Sequence, residues 1–192
     1  MRIIAGKFRS RQLRSLKGLT LRPTSDRLRE TLFNILGPRV EGSRFLDLFA
    51  GTGALGIEAI SRGAISAVFV ENHPAAVRLI RENLASLEIK AEARVISSSV
   101  NPALEKLQKE RAAAFDFIFL DPPYANEKDY EATLRVLENS SLIAKSTIVI
   151  AEHHKSFGLP ASRGQFERVR VLRQGDAALS FYRPPTAENS SK

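Results

Sequence analysis

With 192 residues and 43% hydrophobic side chains, the chain can bury one sizeable core plus a small appendage without crosslinks. It has no cysteine, which excludes disulfides, thiolate zinc sites and cysteine nucleophiles; its three histidines, His73, His153 and His154, lack the i, i+4 spacing of a helical metal site, so no metal is expected. The formal charge of +8 is concentrated at one end: Arg2, Lys7, Arg9, Arg11, Arg14, Lys17 and Arg22 share a stretch, residues 1–22, that contains no acid.

That acid-free stretch is the electrostatic footprint of a polyanion partner, with Phe8 placed where a ring can stack on a base. A solubilising tail would carry the same charge, but Ile3, Ile4 and Leu13 flanking Gly6 and Ser10 predict a small β-hairpin. Next, Thr24 or Ser25 supplies the N-cap of a helix whose apolar face is Leu28, Leu32, Ile35 and Leu36, ended by Gly37-Pro38. Strand and helix then alternate. A strand near 44–49 precedes a helix near 54–62, a strand near 67–71 and a helix opened by Pro74 with Val77, Ile80, Leu84 and Leu87 on one face. A strand at 93–97, a helix at 101–111, a strand at 115–120, a helix at 130–139 and a strand at 146–152 follow, with His153-His154 read as the solvated end of the last. There the rhythm breaks. Residues 167–173 and 177–183 flank Gln174-Gly175-Asp176, a hairpin signal.

The expected organisation is a basic hairpin extension over 1–22, one α/β domain over 23–184 and a disordered polar tail over 185–192, in a monomer. No apolar run approaches the roughly 20 residues a bilayer span needs, and no signal-type apolar core follows the N-terminus. A cytoplasmic location is expected.

Two motifs carry the chemistry. The strand ending at Ala50 runs directly into Gly51-Thr52-Gly53-Ala54-Leu55-Gly56, a G-x-G-x-x-G loop with a strand before it and a helical pattern after it. Glycines there let the backbone turn tightly and approach a ligand with no Cβ in the way. The following strand ends in Glu71, placed to accept both hydroxyls of a ribose. Together these features point to an adenosine-containing cofactor, and an NAD enzyme would satisfy them too. Asp47, before the first glycine, favours S-adenosylmethionine, because a carboxylate there can meet the ammonium of a methionine moiety; a loop-bonding role for Asp47 is the alternative.

The second motif is Asp121-Pro122-Pro123-Tyr124, which closes the apolar run Phe115 to Leu120. Two prolines cannot continue a central ladder, since each lacks an amide hydrogen. Asp121 and the freed carbonyls can accept both N–H bonds of an exocyclic amine while Tyr124 stacks on the ring. A strand-ending turn with a packed tyrosine would use the same residues. In an open parallel sheet, ligands collect at the carboxyl ends of strands where strand order reverses, so cofactor and amine are expected to face each other. The closing antiparallel hairpin departs from a dehydrogenase, whose second half repeats the parallel crossover. The residues read as a methyltransferase acting on an amino group in a nucleic acid.

Arg2-Ile3-Ile4-Ala5-Gly6-Lys7, the run from Arg22-Pro23-Thr24-Ser25-Asp26-Arg27-Leu28-Arg29-Glu30 to Asn34, residues 45–63, and Phe119-Leu120-Asp121-Pro122-Pro123-Tyr124 together resemble the RsmD-type 16S ribosomal RNA (guanine-N2)-methyltransferases over nearly the whole chain. The resemblance implies a class I methyltransferase fold, a Rossmann-like sheet of seven strands, mostly parallel with an antiparallel C-terminal hairpin. It implies S-adenosylmethionine as cofactor and the exocyclic N2 amine of a guanine in 16S rRNA as acceptor, within the small ribosomal subunit or its assembly intermediate. The implied catalytic residues are Asp121, Pro122, Pro123 and Tyr124. The implied cofactor contacts are Thr24, Asp47, Phe49, Gly51, Thr52, Gly53, Gly56, Glu71, Asn72, Ser98 and Asp121. RNA contacts are implied for Arg2, Lys7, Arg9, Arg11, Arg14, Arg22, Arg27 and Arg29.

Two positions depart from the pattern. Ser97-Ser98-Ser99 stands where many related enzymes place an acid for the adenine amine, and Gln174-Gly175 lacks an aromatic before the glycine. An N6-adenine or N4-cytosine methyltransferase would use the same tetrapeptide. A glutamine-modifying protein methyltransferase would resemble N-P-P-Y and need no basic hairpin, and a cofactor-binding module without catalysis is the remaining alternative.

Overall fold

The computed structural model describes residues 1–15, 24–122 and 127–184. Lys17, Arg22, Pro123, Tyr124 and the tail 185–192 lie outside the described residues. Two compact units divide the chain, Met1–Ser99 and Val100–Lys192.

The first unit contains α1 (Asp26–Leu36), β1 (Arg44–Asp47), α2 (Ala54–Ser61), β2 (Ser66–Glu71), α3 (Pro74–Ser86) and β3 (Ala93–Ser97). Ser25 caps α1, its hydroxyl accepting the Leu28 amide at 3.1 Å, and Gly37 ends it at a φ of +58°. The strands are parallel in the order β3-β2-β1, with Asp47 opposite Phe69 and Glu71 opposite Ser97. Every residue of α2 is buried, and the Val77, Ile80, Leu84 and Leu87 stripe of α3 is buried as its periodicity predicts.

The second unit contains α4 (Val100–Lys109), β4 (Phe115–Leu120), α5 (Glu127–Glu138), β5 (Ile143–His154), β6 (Ser162–Arg163), β7 (Phe166–Gln174) and β8 (Ala177–Arg183), in the sheet order β4-β5-β8-β7-β6. β4 and β5 are parallel; β5, β8, β7 and β6 pair antiparallel. Gln174-Gly175-Asp176 joins β7 to β8, with Gly175 at a φ of +62°.

Among the described residues, eight strands replace the seven expected. The extra one is β6, where Gly164, at a φ of +53°, folds two residues back onto β7. β5 also starts earlier than expected. Thr147 bridges its irregular first part to β4, its hydroxyl accepting the Ala144 amide at 2.8 Å and donating to the Phe115 carbonyl at 2.7 Å.

His153 corrects the sequence reading. It is buried at 3% exposure, with Nδ1 2.9 Å from the His154 carbonyl and Nε2 2.9 Å from the Ser180 hydroxyl. A carbonyl only accepts, so Nδ1 carries the proton and Nε2 accepts from Ser180. Burial holds the ring below the usual imidazole pKa range, hence neutral. Among the described residues no helix is long and apolar enough to cross a membrane.

Candidate cofactor cradle and nucleic-acid interface

β1 delivers Asp47 into the core just before the glycine loop. The residue is 1% exposed, and neither carboxylate oxygen has a hydrogen-bond partner among the described residues. Burial pushes its pKa up to about 7; the Gly56 amide pulls it back without reaching hydrogen-bonding geometry, and the charge of Glu71 raises it further. A buried acid with no internal partner is costly to keep unless a ligand completes it.

The loop beyond it is braced by Glu71. The Gly51 amide donates to Glu71 Oε2 and the His73 amide to Oε1, both at 2.8 Å. The Ser98 amide donates to the Glu71 main-chain carbonyl at 3.0 Å, which draws the end of β3 to the end of β2. Gly51, at a φ of +52°, is bare on this side: a Cβ there would meet nothing within 4 Å among the described residues. Asp47, Gly51, Glu71 and Ser98 therefore gather at the carboxyl ends of adjacent parallel strands. Phe49 and Thr52 are half-exposed beside them, and Asn72 is exposed. A buried acid with no counter-charge bonded to it among the described residues, bare glycine backbone and a second carboxylate suit a ligand carrying a cation and a diol.

Gly56 does not line that opening. A Cβ there would overlap the ring of Phe69 on β2, so this glycine sets how closely helix packs on strand. Thr24 is half-buried just ahead of the Ser25 cap. In the second unit, Asp121 is half-buried immediately after β4 and Pro122 is buried.

Among its described residues, the basic N-terminal segment is closed by an antiparallel bridge, Arg2 with Gln12, around buried Ile3 and Leu13. Several of its hydrogen bonds run to α2. Glu58 accepts the Ile4 and Ala5 amides at 2.8 and 3.0 Å, and Ser61 Oγ accepts the Phe8 amide at 3.0 Å while donating to the Ala5 carbonyl. Gly6 is obligatory there, because a Cβ would overlap the Ser61 carbonyl. Arg2, Lys7, Arg9, Arg11 and Arg14 are exposed on this anchored segment, and Lys7 lies over the Phe8 ring at 4.9 Å. Arg14 pairs with Glu82 at 2.9 Å and Arg11 donates to the Ser86 carbonyl, so part of the basic surface rides on α3. Arg27 is exposed on α1.

Arg29 is the exception. Expected on an RNA-facing surface, it is fully buried, donating to the Arg2 carbonyl and to Asp26, with Glu58 at 3.8 Å. A guanidinium enclosed by its own chain cannot reach phosphate, so its role is to fix the segment from below. Glu58 and Asn83 were not foreseen, although each left a trace: a lone charge within an otherwise apolar helix, and an amide three residues after Ile80 and four before Leu87, inside the apolar stripe of α3.

The sequence profile of the family described as conserved hypothetical protein 95 matches residues 1–183. Bacillus subtilis YlbH is 36% identical over 95% of this chain and 98% of its own length. The Escherichia coli protein named ribosomal RNA small subunit methyltransferase D is 35% identical over 95% of this chain and 89% of its own. The solved structure of Escherichia coli yhhF aligns with a TM-score of 0.83 at 36% identity, covering 96% of this chain and 97% of that one.

Proposed function

This chain belongs to the conserved hypothetical protein 95 (RsmD) family, and from that membership we propose that it transfers a methyl group from S-adenosylmethionine to the exocyclic N2 amine of a guanine in 16S ribosomal RNA, within the small subunit or its assembly intermediate. Its fold is the mostly parallel α/β fold of class I methyltransferases, with antiparallel C-terminal strands. The observation that carries the reading is Asp47, a buried carboxylate without a hydrogen-bond partner among the described residues, beside a glycine loop braced by Glu71. S-adenosylmethionine supplies a methyl group activated by a sulfonium.

The residues divide the work. Asp47 receives the ammonium of the cofactor. Glu71 accepts the ribose hydroxyls, for which it keeps lone pairs: a carboxylate has about four acceptor sites, and the two amides leave the rest. Asp121 and the Pro122 carbonyl accept the two hydrogens of the amine. That lone pair is otherwise delocalised into the guanine ring, and drawing both hydrogens into acceptor bonds favours its pyramidal, nucleophilic form. Holding two reactants in line contributes about 7–11 kcal/mol in well-oriented cases. No strong base is needed, since the amine proton becomes acidic only once the new N–C bond forms. Unstacking the target base costs a few kcal/mol, offset by stacking on Tyr124 at ~1–3 kcal/mol.

The direct test is to incubate the protein with labelled S-adenosylmethionine and unmodified small subunits, digest the RNA and identify the labelled nucleoside. N2-methylguanosine is expected. Label in N6-methyladenosine or N4-methylcytidine would reassign the base, label in protein would reassign the substrate class, and cofactor binding without transfer would leave a binding module.

Two further results are expected. Glu71→Ala should weaken S-adenosylhomocysteine binding by roughly 1.5–3 kcal/mol, the range for a hydrogen bond to a charged group, and calorimetry showing unchanged affinity counts against the ribose role. Neutralising Arg9, Arg11 and Arg14 together should weaken RNA binding and flatten its dependence on salt, because fewer counterions are displaced. Cofactor affinity measured without RNA should barely change. A triple variant that methylates small subunits like wild type across a range of salt would move the docking surface elsewhere.

A further inference from the structure

Asn83 is fully buried on α3, and its side-chain amide joins two segments that the proposed function treats as separate. Its Oδ1 accepts the Arg14 amide at 2.9 Å; its Nδ2 donates to the Arg14 carbonyl at 3.2 Å and to the Thr52 carbonyl at 3.1 Å. Arg14 belongs to the basic segment and Thr52 sits between the glycines of the loop. The same two segments meet again where the Thr52 hydroxyl approaches Met1 Sδ at 3.9 Å, and the Leu13 amide closes on the Met1 carbonyl at 3.0 Å. Thr52 is thus tied to the basic segment twice, at its main chain through Asn83 to Arg14 and at its side chain directly to Met1. An apolar residue would complete the α3 stripe at position 83 without any such bridge. The amide instead spends three of its four hydrogen-bonding positions on the backbones of the two segments.

We propose that Asn83 is a positioning residue that couples RNA docking on the basic segment to the set of the cofactor loop, so that each ligand raises the affinity for the other. The inference rests on the reading of the segment as the RNA-docking surface and of the loop as the S-adenosylmethionine cradle. RNA held by Arg9 and Arg11 restrains the backbone at Arg14; through the Asn83 amide it restrains the Thr52 carbonyl, and the loop then loses less freedom when the cofactor binds. The coupling is reciprocal, because it is a property of the ternary equilibrium rather than of either ligand.

The experiment measures S-adenosylhomocysteine affinity by calorimetry with and without saturating unmodified 16S rRNA, on wild type, Asn83→Asp and Asn83→Ala, each checked for folding by circular dichroism. Wild type should bind about 5–20-fold tighter with rRNA present, within the usual range of coupling between sites. Asn83→Asp keeps the acceptor for the Arg14 amide but loses both donors, so the ratio should fall below about twofold at pH 8. Lowering the pH protonates the introduced carboxyl, whose pKa is raised by burial against two carbonyls. One donor then returns, and the ratio should recover in this variant alone. Asn83→Ala has no such group and should stay uncoupled throughout.

A folded Asn83→Asp with the wild-type ratio at pH 8 overturns the proposal, as does recovery in Asn83→Ala. Failure of both variants to fold makes Asn83 a structural staple and overturns it as well. Wild type that binds both ligands at a ratio near one removes the coupling and leaves the proposed function standing; wild type that binds neither removes the proposed function itself.

Discussion

Asp121→Ala is expected to leave S-adenosylhomocysteine affinity within a few-fold of wild type while cutting single-turnover methyl transfer by about 10²–10³-fold, the usual cost of losing one preorganised polar partner of a reacting group. The expectation follows from where the residue stands. β4 is buried from Phe117 to Leu120, Pro122 is buried, and Asp121 between them is half-buried, so the strand fixes the backbone while leaving the side chain reachable. Rapid-quench transfer of labelled methyl to unmodified small subunits reads the effect directly, and near-normal turnover would make the carboxylate structural. Tyr124 gives the companion result. Tyr124→Ala removes the ring and should lose transfer strongly; Tyr124→Phe keeps a stacking face and should lose much less. Equal losses in the two would mean the hydroxyl, not the ring, is what the substrate uses.

Much of this was legible because hydrophobic periodicity is a local property. The α3 stripe, the β4 run and the Gly175 hairpin can each be read within a dozen residues, and each is where its pattern puts it. The Glu71 brace was partly visible: spacing put an acid at the end of the second strand, but not that this acid already holds the Gly51 amide. What sequence could not show is which charges turn inward. Arg29 reads like its neighbour Arg27, since charge is written in the sequence and burial is not; only the packing of the Arg2 carbonyl and Glu58 against α1 distinguishes them. His153 misled for a related reason. A histidine pair after an apolar strand looks solvated until β8 supplies Ser180 as a partner across the sheet. The two-residue β6 was missed because a strand that short carries no period at all.

Asp47→Asn should separate stability from function and do so with a defined dependence on pH. The folded-state pKa of Asp47 is raised to about 7 from 3.8. Between those values the folded protein binds more protons at this site than the unfolded chain, so stability falls as pH rises from about 4 to about 7 and is level above that, a span worth on the order of a few kcal/mol. An asparagine cannot ionise. The variant should therefore lose this part of the decline and be more stable than wild type at pH 8, by about 1–3 kcal/mol once the cost of an unpaired buried amide is set against the gain. Below pH 4 the advantage should vanish or reverse. Cofactor binding should move the other way, because a neutral amide offers the ammonium no counter-charge. S-adenosylhomocysteine affinity is expected to drop by about 100-fold, the equivalent of roughly 2.7 kcal/mol, in the range for a hydrogen bond to a charged group. In wild type the bound cation favours the ionised carboxylate, so affinity should rise between pH 6 and pH 8 and binding should release protons, measurable by calorimetry in buffers of different ionisation enthalpy. The variant should show neither effect. Denaturant melts across the same pH range complete the test: an Asp47→Asn protein that is less stable than wild type at pH 8 and retains its pH slope would mean that Asp47 is ionised and satisfied in the free protein, and that the buried charge at the end of β1 is not being kept for a ligand.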